Sequence, residues 1–348
     1  PPHYDYLSHW LGGGKKESGF DVYDQTQEDF ALSTAAEYAA FYASRASGNL
    51  AKTYSAVAAL CWTDSNQHGR NSFSENCRSS GRVDAVRIPK ENFDVFRVMQ
   101  AEDPAVMLVG HWSYPKLTKD NYWYNVKEMK QGDKYVKETG EKKQRDPLHK
   151  TVYAIGSVHC ASVELIVNGK SKGVNSTPED IFVYAFPNID VTESGSAEVV
   201  ARDANGQIIA HHKVQSFEGK GKIATKVMTG PRGWVADGAD IAMIDFRLVD
   251  ASGTVHPWAN DKITFTLKPI QPQRAGDIGA VFMGGWNSGT FDETSPIGKD
   301  WVNLECGIAR VFVKAGRTPG KVTLHWECAN GESGDIPLEL REAASKGG

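Results

Sequence analysis

From about residue 105 onward, the sequence is a succession of short alternating apolar runs separated by glycine, proline or asparagine. Asn168–Gly169 and Asn205–Gly206 stand between such runs, and Asn-Gly favours hairpin turns because both residues tolerate positive φ. Many short strands with this punctuation are typical of β-sandwiches, and the stretch is long enough for two. We therefore expect a mostly β chain with one sandwich over residues 104–218 and a second over residues 219–348. The main predicted strands are 105–112, 151–156, 162–167, 197–202, 241–249, 262–267, 308–313 and 321–326.

One segment departs from this pattern. Residues 116–150 are rich in Lys, Glu, Asp and Gln and contain Tyr122, Trp123 and Tyr124. The segment interrupts one predicted hairpin of the first sandwich, and charged blocks of this kind are usually solvated insertions. Alternatively, the aromatic cluster stacks on a sugar ring or packs on a neighbouring chain.

The first 103 residues have a different character. Apolar residues recur at helical spacing over residues 27–46, and a second, shorter helix is predicted over residues 90–99. Between them, residues 56–62 form an apolar run without charges or turn formers, which indicates a strand buried on both faces. Helix, buried strand, long loop and helix are part of a (β/α)8 barrel. A closed barrel needs eight strands and about 250 residues, so residues 1–103 are expected to be only its C-terminal segment.

The apolar run at 56–62 ends in a polar cluster. In α/β folds, ligands bind beyond the carboxyl ends of the strands. An aromatic face together with carboxylate, amide and imidazole groups is suited to a polyhydroxylated ligand. The predicted substrate-binding residues are Trp62, Asp64, Asn66 and His68. Alternatively, the Trp62 side chain only fills space at the end of the strand, and an ion pair between Asp64 and Arg70 stabilises the loop.

Composition excludes several classes of function. The sequence is 40% hydrophobic and 24% charged with a net charge of −4, which is typical of a soluble globular protein. No apolar run approaches the roughly 20 residues of a membrane helix. The near-neutral charge gives no reason to expect nucleic acid as a partner.

No metal or cofactor is predicted. The five cysteines lack zinc-site spacing, and His3, His9 and His68 lack the helical spacing of metal ligands. Cys306 and Cys328 could pair if they lay on adjacent strands, but buried free thiols are favoured.

Several motifs resemble, in the same order, the C-terminal part of glycoside hydrolase family 2, the β-galactosidase and β-glucuronidase superfamily. The motifs at residues 62–70 and 80–90 resemble the last strand and closing helix of that family's catalytic barrel. Those at 109–115 and 163–173 resemble the sandwich that follows the barrel. The motifs that resemble the final sandwich lie at residues 236–240, 249–253, 284–289 and 305–310. The resemblance covers nearly the whole chain except the insertion at 116–150.

The resemblance implies a retaining, exo-acting glycosidase, most similar to β-galactosidases. In such enzymes one carboxylate attacks the anomeric carbon and a second carboxyl group, about 5–5.5 Å away, protonates the leaving oxygen. The family's two glutamates lie on earlier barrel strands, and residues 3–10, near the expected nucleophile, contain no glutamate. No catalytic residue is therefore assigned, because Glu75 lies in a polar loop and Glu91 opens a helix. Trp62 would form part of the floor of the −1 subsite.

The resemblance also implies a partner. The chain begins Pro1-Pro2, so we expect a processed product, a subunit or a fragment that joins an upstream polypeptide carrying the two glutamates. An isolated barrel end would leave strand edges and apolar faces uncovered, which supports this expectation. The alternative is a non-catalytic carbohydrate-binding or interaction module. The oligomeric state and the compartment stay open, with a periplasmic or secreted location favoured.

Overall fold

The structure is a computed structural model. It describes residues 20–21, 27–46, 62–63, 81–113, 123–129, 136–144, 149–257, 259–269, 279–286, 296 and 298–343. The described residues form two compact units, one ending at Phe217 and the other beginning at Glu218. Most of these residues are in strands, and the strands form sandwich-like pairs of sheets. The predicted fold class is confirmed, whereas the domain division at residues 104 and 219 stays a prediction.

Two helices lie in the first unit. α1 spans Gln27–Ala46 and α2 spans Glu91–Met99, in agreement with the predicted helices at 27–46 and 90–99. Ala31, Ala35 and Tyr38 of α1 are buried at the predicted helical spacing. Of these two described helices, neither has the length and apolar character required to cross a membrane.

The first unit contains three sheets. Its strands are β1 (Phe20–Asp21), β2 (Val106–Leu108), β3 (Trp123–Met129), β4 (Val136–Gln144), β5 (His149–Gly156), β6 (Ser162–Val167), β7 (Lys170–Asn175), β8 (Val183–Asp190), β9 (Ser196–Arg202) and β10 (Ile208–Gln215). The sheet orders are β2-β5-β8, β10-β9-β6-β7 and β1-β3-β4. The first two sheets enclose a shared apolar core and form the first sandwich.

The sheet β2-β5-β8 is buried on both faces. Alternating residues point to opposite sides of a strand, so Ala154 of β5 enters the sandwich core while Ile155 faces the helices. Met107 and Phe182 join Ile155 in the cluster with residues of α1 and α2, including Val98. The unit therefore has three layers, namely helices, sheet and sheet. This arrangement packs both helices against the first sandwich.

The predicted hairpin at Asn168–Gly169 is confirmed. Asn168 has φ 49° and Gly169 has φ 76°, and they connect the antiparallel strands β6 and β7. Two consecutive residues with positive φ are characteristic of the type I′ turn, whose twist matches that of the strands. Only residues that tolerate positive φ make this turn without strain.

The charged insertion forms an antiparallel hairpin of β3 and β4, which the sequence analysis did not predict. Its register places Lys127 opposite Glu138 and Glu128 opposite Lys137. β1 extends the sheet by pairing with the end of β3.

The second unit is a second sandwich. Its strands are β11 (Lys222–Met228), β12 (Trp234–Val235), β13 (Ile241–Val249), β14 (Lys262–Pro269), β15 (Ala280–Trp286), β16 (Trp301–Asn303), β17 (Ile308–Ala315), β18 (Gly320–Cys328) and β19 (Ser333–Arg341). The sheets, in the orders β11-β13-β17-β15 and β12-β19-β18-β14-β16, enclose a core in which Phe246 contacts Phe265 and Trp326 edge-on. Cys306 and Cys328 are free thiols, as favoured from the sequence.

Candidate functional site

Trp62 is held in place by its backbone. Its carbonyl oxygen accepts hydrogen bonds from the N–H groups of Arg82 at 2.8 Å and Val83 at 3.0 Å. The next residue, Thr63, forms an isolated parallel bridge with Val83. The main chain at Trp62 is therefore fixed by contacts to the segment that leads into α2.

The Trp62 ring is open to solvent. It is 56% exposed, although tryptophan usually buries most of its surface. Its remaining surface includes an edge-on contact with Phe93, with ring centroids 5.5 Å apart and planes at 62°. Phe93 is the third residue of α2, so the Trp62 ring lies at the first turn of that helix. A ring held at its edge and left free elsewhere can stack on the apolar C–H face of a sugar.

The other predicted substrate-binding residues are Asp64, Asn66 and His68, and all three lie outside the described residues. Their role as hydrogen-bond partners of a sugar stays a prediction, as does the alternative ion pair of Asp64 with Arg70. Glu75 also lies outside the described part of the chain. Trp62 is thus the member of the predicted site that the structure places.

Residues 81–90 lead from the Trp62 contact into α2. The Arg82 guanidinium lies 4.9 Å from the centre of the Phe96 ring, a cation–π contact with the helix. One Asp84 carboxylate oxygen accepts hydrogen bonds from the N–H groups of Val86 at 2.9 Å and Ile88 at 2.7 Å. Arg82 and Asp84 lie in the motif at 80–90, but their roles have no sequence signal. The Asp84 carboxylate can accept these backbone hydrogen bonds only because residues 84–88 form a turn, which the sequence does not reveal.

Two glutamates at the first turns of the helices contact a glycine and a lysine of the first sandwich segment. We call these four residues the carboxylate junction (Glu28, Glu91, Gly110 and Lys150). Glu91 accepts a 2.7 Å hydrogen bond from the Gly110 N–H, and Lys150 pairs with Glu28. Gly110 has φ +88°, and a side chain there would collide with the Glu28 carboxylate. The positive φ of Gly110 favours glycine at this position, and the Glu28 side chain occupies the space that a Cβ would fill.

The pKa of Glu91 is raised to about 7. Glu91 as a whole is half-buried, but the protein around its carboxyl group disfavours the charged form, and this burial is the main cause. The Gly110 N–H opposes the rise, while the negative charges of Glu28 and Asp94 add to it. A raised pKa alone is compatible with catalysis or with a structural role. The bond to Gly110 gives Glu91 a structural role at the junction of helices and sandwich.

Three further aromatic side chains have structural positions. Trp112 is buried in the first sandwich core. His111 is half-buried, and its Nδ1 accepts a 3.0 Å hydrogen bond from the Ser113 N–H. Trp286 is buried at the end of β15 opposite Arg310, which supports a role in the fold, and Asn287 lies outside the described residues.

The described residues also offer no cluster of three or more His, Cys, Asp or Glu side chains that could hold a metal ion. This finding extends only to the ranges given above.

Comparison with known proteins identifies the family. The model of the glycoside hydrolase family 2 C-terminal domain 5 matches residues 225–337. A β-glucuronidase of Formosa agariphila is 35% identical over 261 residues, which cover 74% of this chain and 22% of that protein. This chain carries a C-terminal region of glycoside hydrolase family 2. The family predicted from the sequence motifs is therefore confirmed.

Solved structures agree with the family 2 assignment. A β-glucuronidase from glycoside hydrolase family 2 superimposes with a TM-score of 0.71 and 28% identity, covering 95% of this chain and 29% of that one. Among the sequence relatives, a β-galactosidase of Bacteroides ovatus is 24% identical over 189 residues, or 54% of this chain and 18% of that protein. The family 2 region described here spans about a quarter of the length of such relatives.

Proposed function

We propose that this chain forms the end of the catalytic barrel and the following sandwiches of a retaining, exo-acting glycoside hydrolase of family 2. The observation that carries the proposal is the exposed Trp62 ring, fixed by the Arg82–Val83 backbone at the first turn of α2. Active sites of (β/α)8 barrels lie at the end where strands finish and helices begin. The Trp62 ring contacts Phe93 in the first turn of α2, where a barrel helix would begin, and this contact supports a place for Trp62 in the sugar subsite.

In the proposed reaction, this chain binds and orients the sugar. The Trp62 ring packs against the sugar C–H surface, and its negative face favours the positive charge that develops at the anomeric carbon. Asp64, Asn66 and His68 bind the sugar hydroxyls. The nucleophile and the acid/base glutamates lie on an upstream polypeptide that completes the barrel, and no residue described here takes either role.

The preferred substrate is a β-glucuronide. The relative with 35% identity is a β-glucuronidase, whereas the β-galactosidase relative is 24% identical. A β-galactoside, which the sequence motifs favoured, is the second candidate. Hydrolysis of p-nitrophenyl β-D-glucuronide and p-nitrophenyl β-D-galactoside by the complete protein distinguishes them.

The upstream polypeptide can be tested by mass spectrometry of the purified protein. A second chain of about barrel size, or a longer precursor that contains this sequence, is expected because a barrel segment needs the remaining strands to cover it. The alternative, a carbohydrate-binding module, predicts a stable 38 kDa monomer that binds sugar without hydrolysing glycosides. Such a monomer would contradict the proposed enzyme.

Replacing Trp62 with alanine in the complete enzyme should lower kcat/KM about 10- to 100-fold, because the sugar loses its apolar floor. Trp62→Phe retains an aromatic face and should recover part of this loss. The measurement is hydrolysis of the better p-nitrophenyl glycoside, with thermal unfolding to confirm that the fold is intact.

Trp301→Ala is the matched control for Trp62→Ala. Trp301 is a half-buried tryptophan of β16 in the second sandwich, with the Lys262 ammonium 4.5 Å from its ring centre. Its replacement should affect stability without a comparable loss of kcat/KM. An unchanged rate in Trp62→Ala would remove Trp62 from the subsite.

A further inference from the structure

The four-stranded sheet of the second unit, β11-β13-β17-β15, has one face in the sandwich core and one face turned away from it. Ala242 and Ile244 of β13 lie in the core, so the alternating residues Ile241 and Met243 lie on the outer face. Residues directly opposite each other in the register share a face. The strand pairing therefore shows which side chains make up the outer face.

Six apolar side chains meet at one end of this outer face, and we call them the methionine face. The register places them in two neighbouring rows, and the longer row crosses all four strands, a width of about 14 Å. They are Met228 of β11, Ile241 and Met243 of β13, Phe312 of β17, and Val281 and Met283 of β15. None of these six residues is buried, and Ile241, Val281 and Met283 are each more than 40% exposed.

An apolar surface of this kind is characteristic of an interface. A single exposed apolar residue is ordinary, whereas adjoining apolar side chains mark a binding surface. Methionine is frequent at such surfaces, because its flexible and polarizable side chain adapts to a partner. All three methionines that follow residue 217 lie on this face, whereas the core cluster described for the same sandwich contains none.

The charges on the outer face indicate the chemistry of the occupant. Among its described positions, five basic residues accompany a single acidic residue, Asp245, whose carboxylate binds Arg310. The basic residues are Lys222, Lys226, Arg247, Arg310 and Lys314. A second copy of this chain would bring like charges together, which disfavours a symmetric dimer through this face. A partner with carboxylates around an apolar centre is complementary to it.

A protein surface fits this face better than an acidic polysaccharide does. Sugar rings stack on exposed aromatic rings, but Phe312 is half-buried and Trp286, opposite Arg310, is buried. The exposed centre of the face is formed by aliphatic and methionine side chains instead. Such side chains pack against the apolar side chains of a protein.

We propose that the methionine face binds a segment of the upstream polypeptide in which apolar side chains stand between aspartate or glutamate residues. This inference rests on the proposed function, which requires that polypeptide. The matched regions cover 22% and 29% of two β-glucuronidase relatives, so most of such a protein lies outside them and could supply this segment. Burial of the apolar side chains stabilises the association, and the basic residues around them select an acidic segment.

Photo-crosslinking in the complete protein tests the proposal. With p-benzoylphenylalanine in place of Val281, irradiation should give a crosslink to a peptide from outside residues 1–348 that contains apolar residues beside Asp or Glu. Val227 is the matched control, because it is also a valine with 41% exposure but is opposite the core residue Ile244. The same probe at Val227 should not reach this peptide. Thermal unfolding confirms that both proteins are folded.

The identity of the crosslinked peptide decides between the occupants. A crosslink between two copies, detected by mixing isotope-labelled and unlabelled protein, would assign the face to a dimer and overturn the proposal. A crosslink within residues 1–348 of one chain, or none from Val281, would also overturn it. Hydrolysis of a p-nitrophenyl glycoside without the crosslink would overturn the inference and leave the proposed enzyme standing. The crosslink in a protein that hydrolyses no glycoside would do the reverse.

A charge variant tests whether the partner is acidic. In the protein with the probe at Val281, Lys226→Gln/Lys314→Gln should lower the crosslink yield about 3- to 10-fold, because the partner's carboxylates lose two cations. The matched control is Lys220→Gln/Lys321→Gln, since Lys220 precedes β11 and Lys321 lies on the opposite sheet, both exposed. This control should leave the yield unchanged. An equal loss in both double variants, or no loss in either, would overturn the acidic partner.

Discussion

Replacing Arg310 with methionine is expected to destabilise the second sandwich by about 3–5 kcal/mol, because Asp245 would lose its main partner while remaining buried. Arg310 Nε donates to Asp245 Oδ1 at 2.6 Å, and Nη2 donates to Oδ2 at 3.1 Å. Asp245 is 2% exposed and Arg310 is 9% exposed. This two-point geometry is the strong form of an arginine–carboxylate pair.

Urea unfolding followed by tryptophan fluorescence measures the effect of Arg310→Met. Arg247→Met is the matched control, since Arg247 Nη2 lies 3.7 Å from the same carboxylate but 46% of its side chain is exposed. The control should cost no more than about 1 kcal/mol. The double variant Asp245→Leu/Arg310→Met should recover most of the loss, because it leaves no buried charge. Equal losses in Arg310→Met and Arg247→Met would contradict the prediction.

Replacing Glu91 with glutamine is expected to stabilise the first unit at pH 8.5 by about 3 kcal/mol, and this gain should disappear near pH 4.5. The pKa of Glu91 is about 7 in the folded protein, against an ordinary value of 4.5. The folded state therefore binds the proton more tightly, and stability falls as the pH rises from 4.5 through 7. Glutamine stays neutral at every pH and retains an oxygen for the Gly110 N–H.

Thermal unfolding of the wild type and of Glu91→Gln between pH 4.5 and 8.5 tests this prediction. Glu102→Gln is the control, because Glu102 is an exposed carboxylate shortly after α2. It should shift the unfolding temperature little at any pH. If the difference between Glu91→Gln and the wild type does not grow with pH, the buried carboxyl group does not limit stability.

The sequence alone determined the elements whose signals are local. The apolar spacing in residues 27–46 and 90–99 predicted both described helices, and the runs beyond residue 105 predicted most of the core strands. The Asn168–Gly169 turn was also predicted, because its conformation depends on those two residues. The order of the motifs along the chain pointed to the family. The helices, strands and turn could be predicted because each depends on residues that are close together in the chain.

Parts of the candidate site were also visible in the sequence. Trp62 was singled out by its position after an apolar run, and the structure finds its ring exposed beside Phe93. The contact with Phe93 had no sequence signal, because a phenylalanine in the first turn of a helix usually belongs to the core. Its role depends on Arg82 and Val83, whose N–H groups bind the Trp62 carbonyl just before α2 begins.

Only the tertiary structure decided which distant residues meet. The alternation in β13 places Asp245 on the face opposite Phe246, where solvent is expected, yet Asp245 is buried against Arg310. Glu28 meets Gly110 and Lys150, and Phe20 pairs with Met129, across long stretches of chain. Periodicity shows which face of an element a residue occupies. What covers that face depends on chain segments far away in sequence, so only the folded protein determines it.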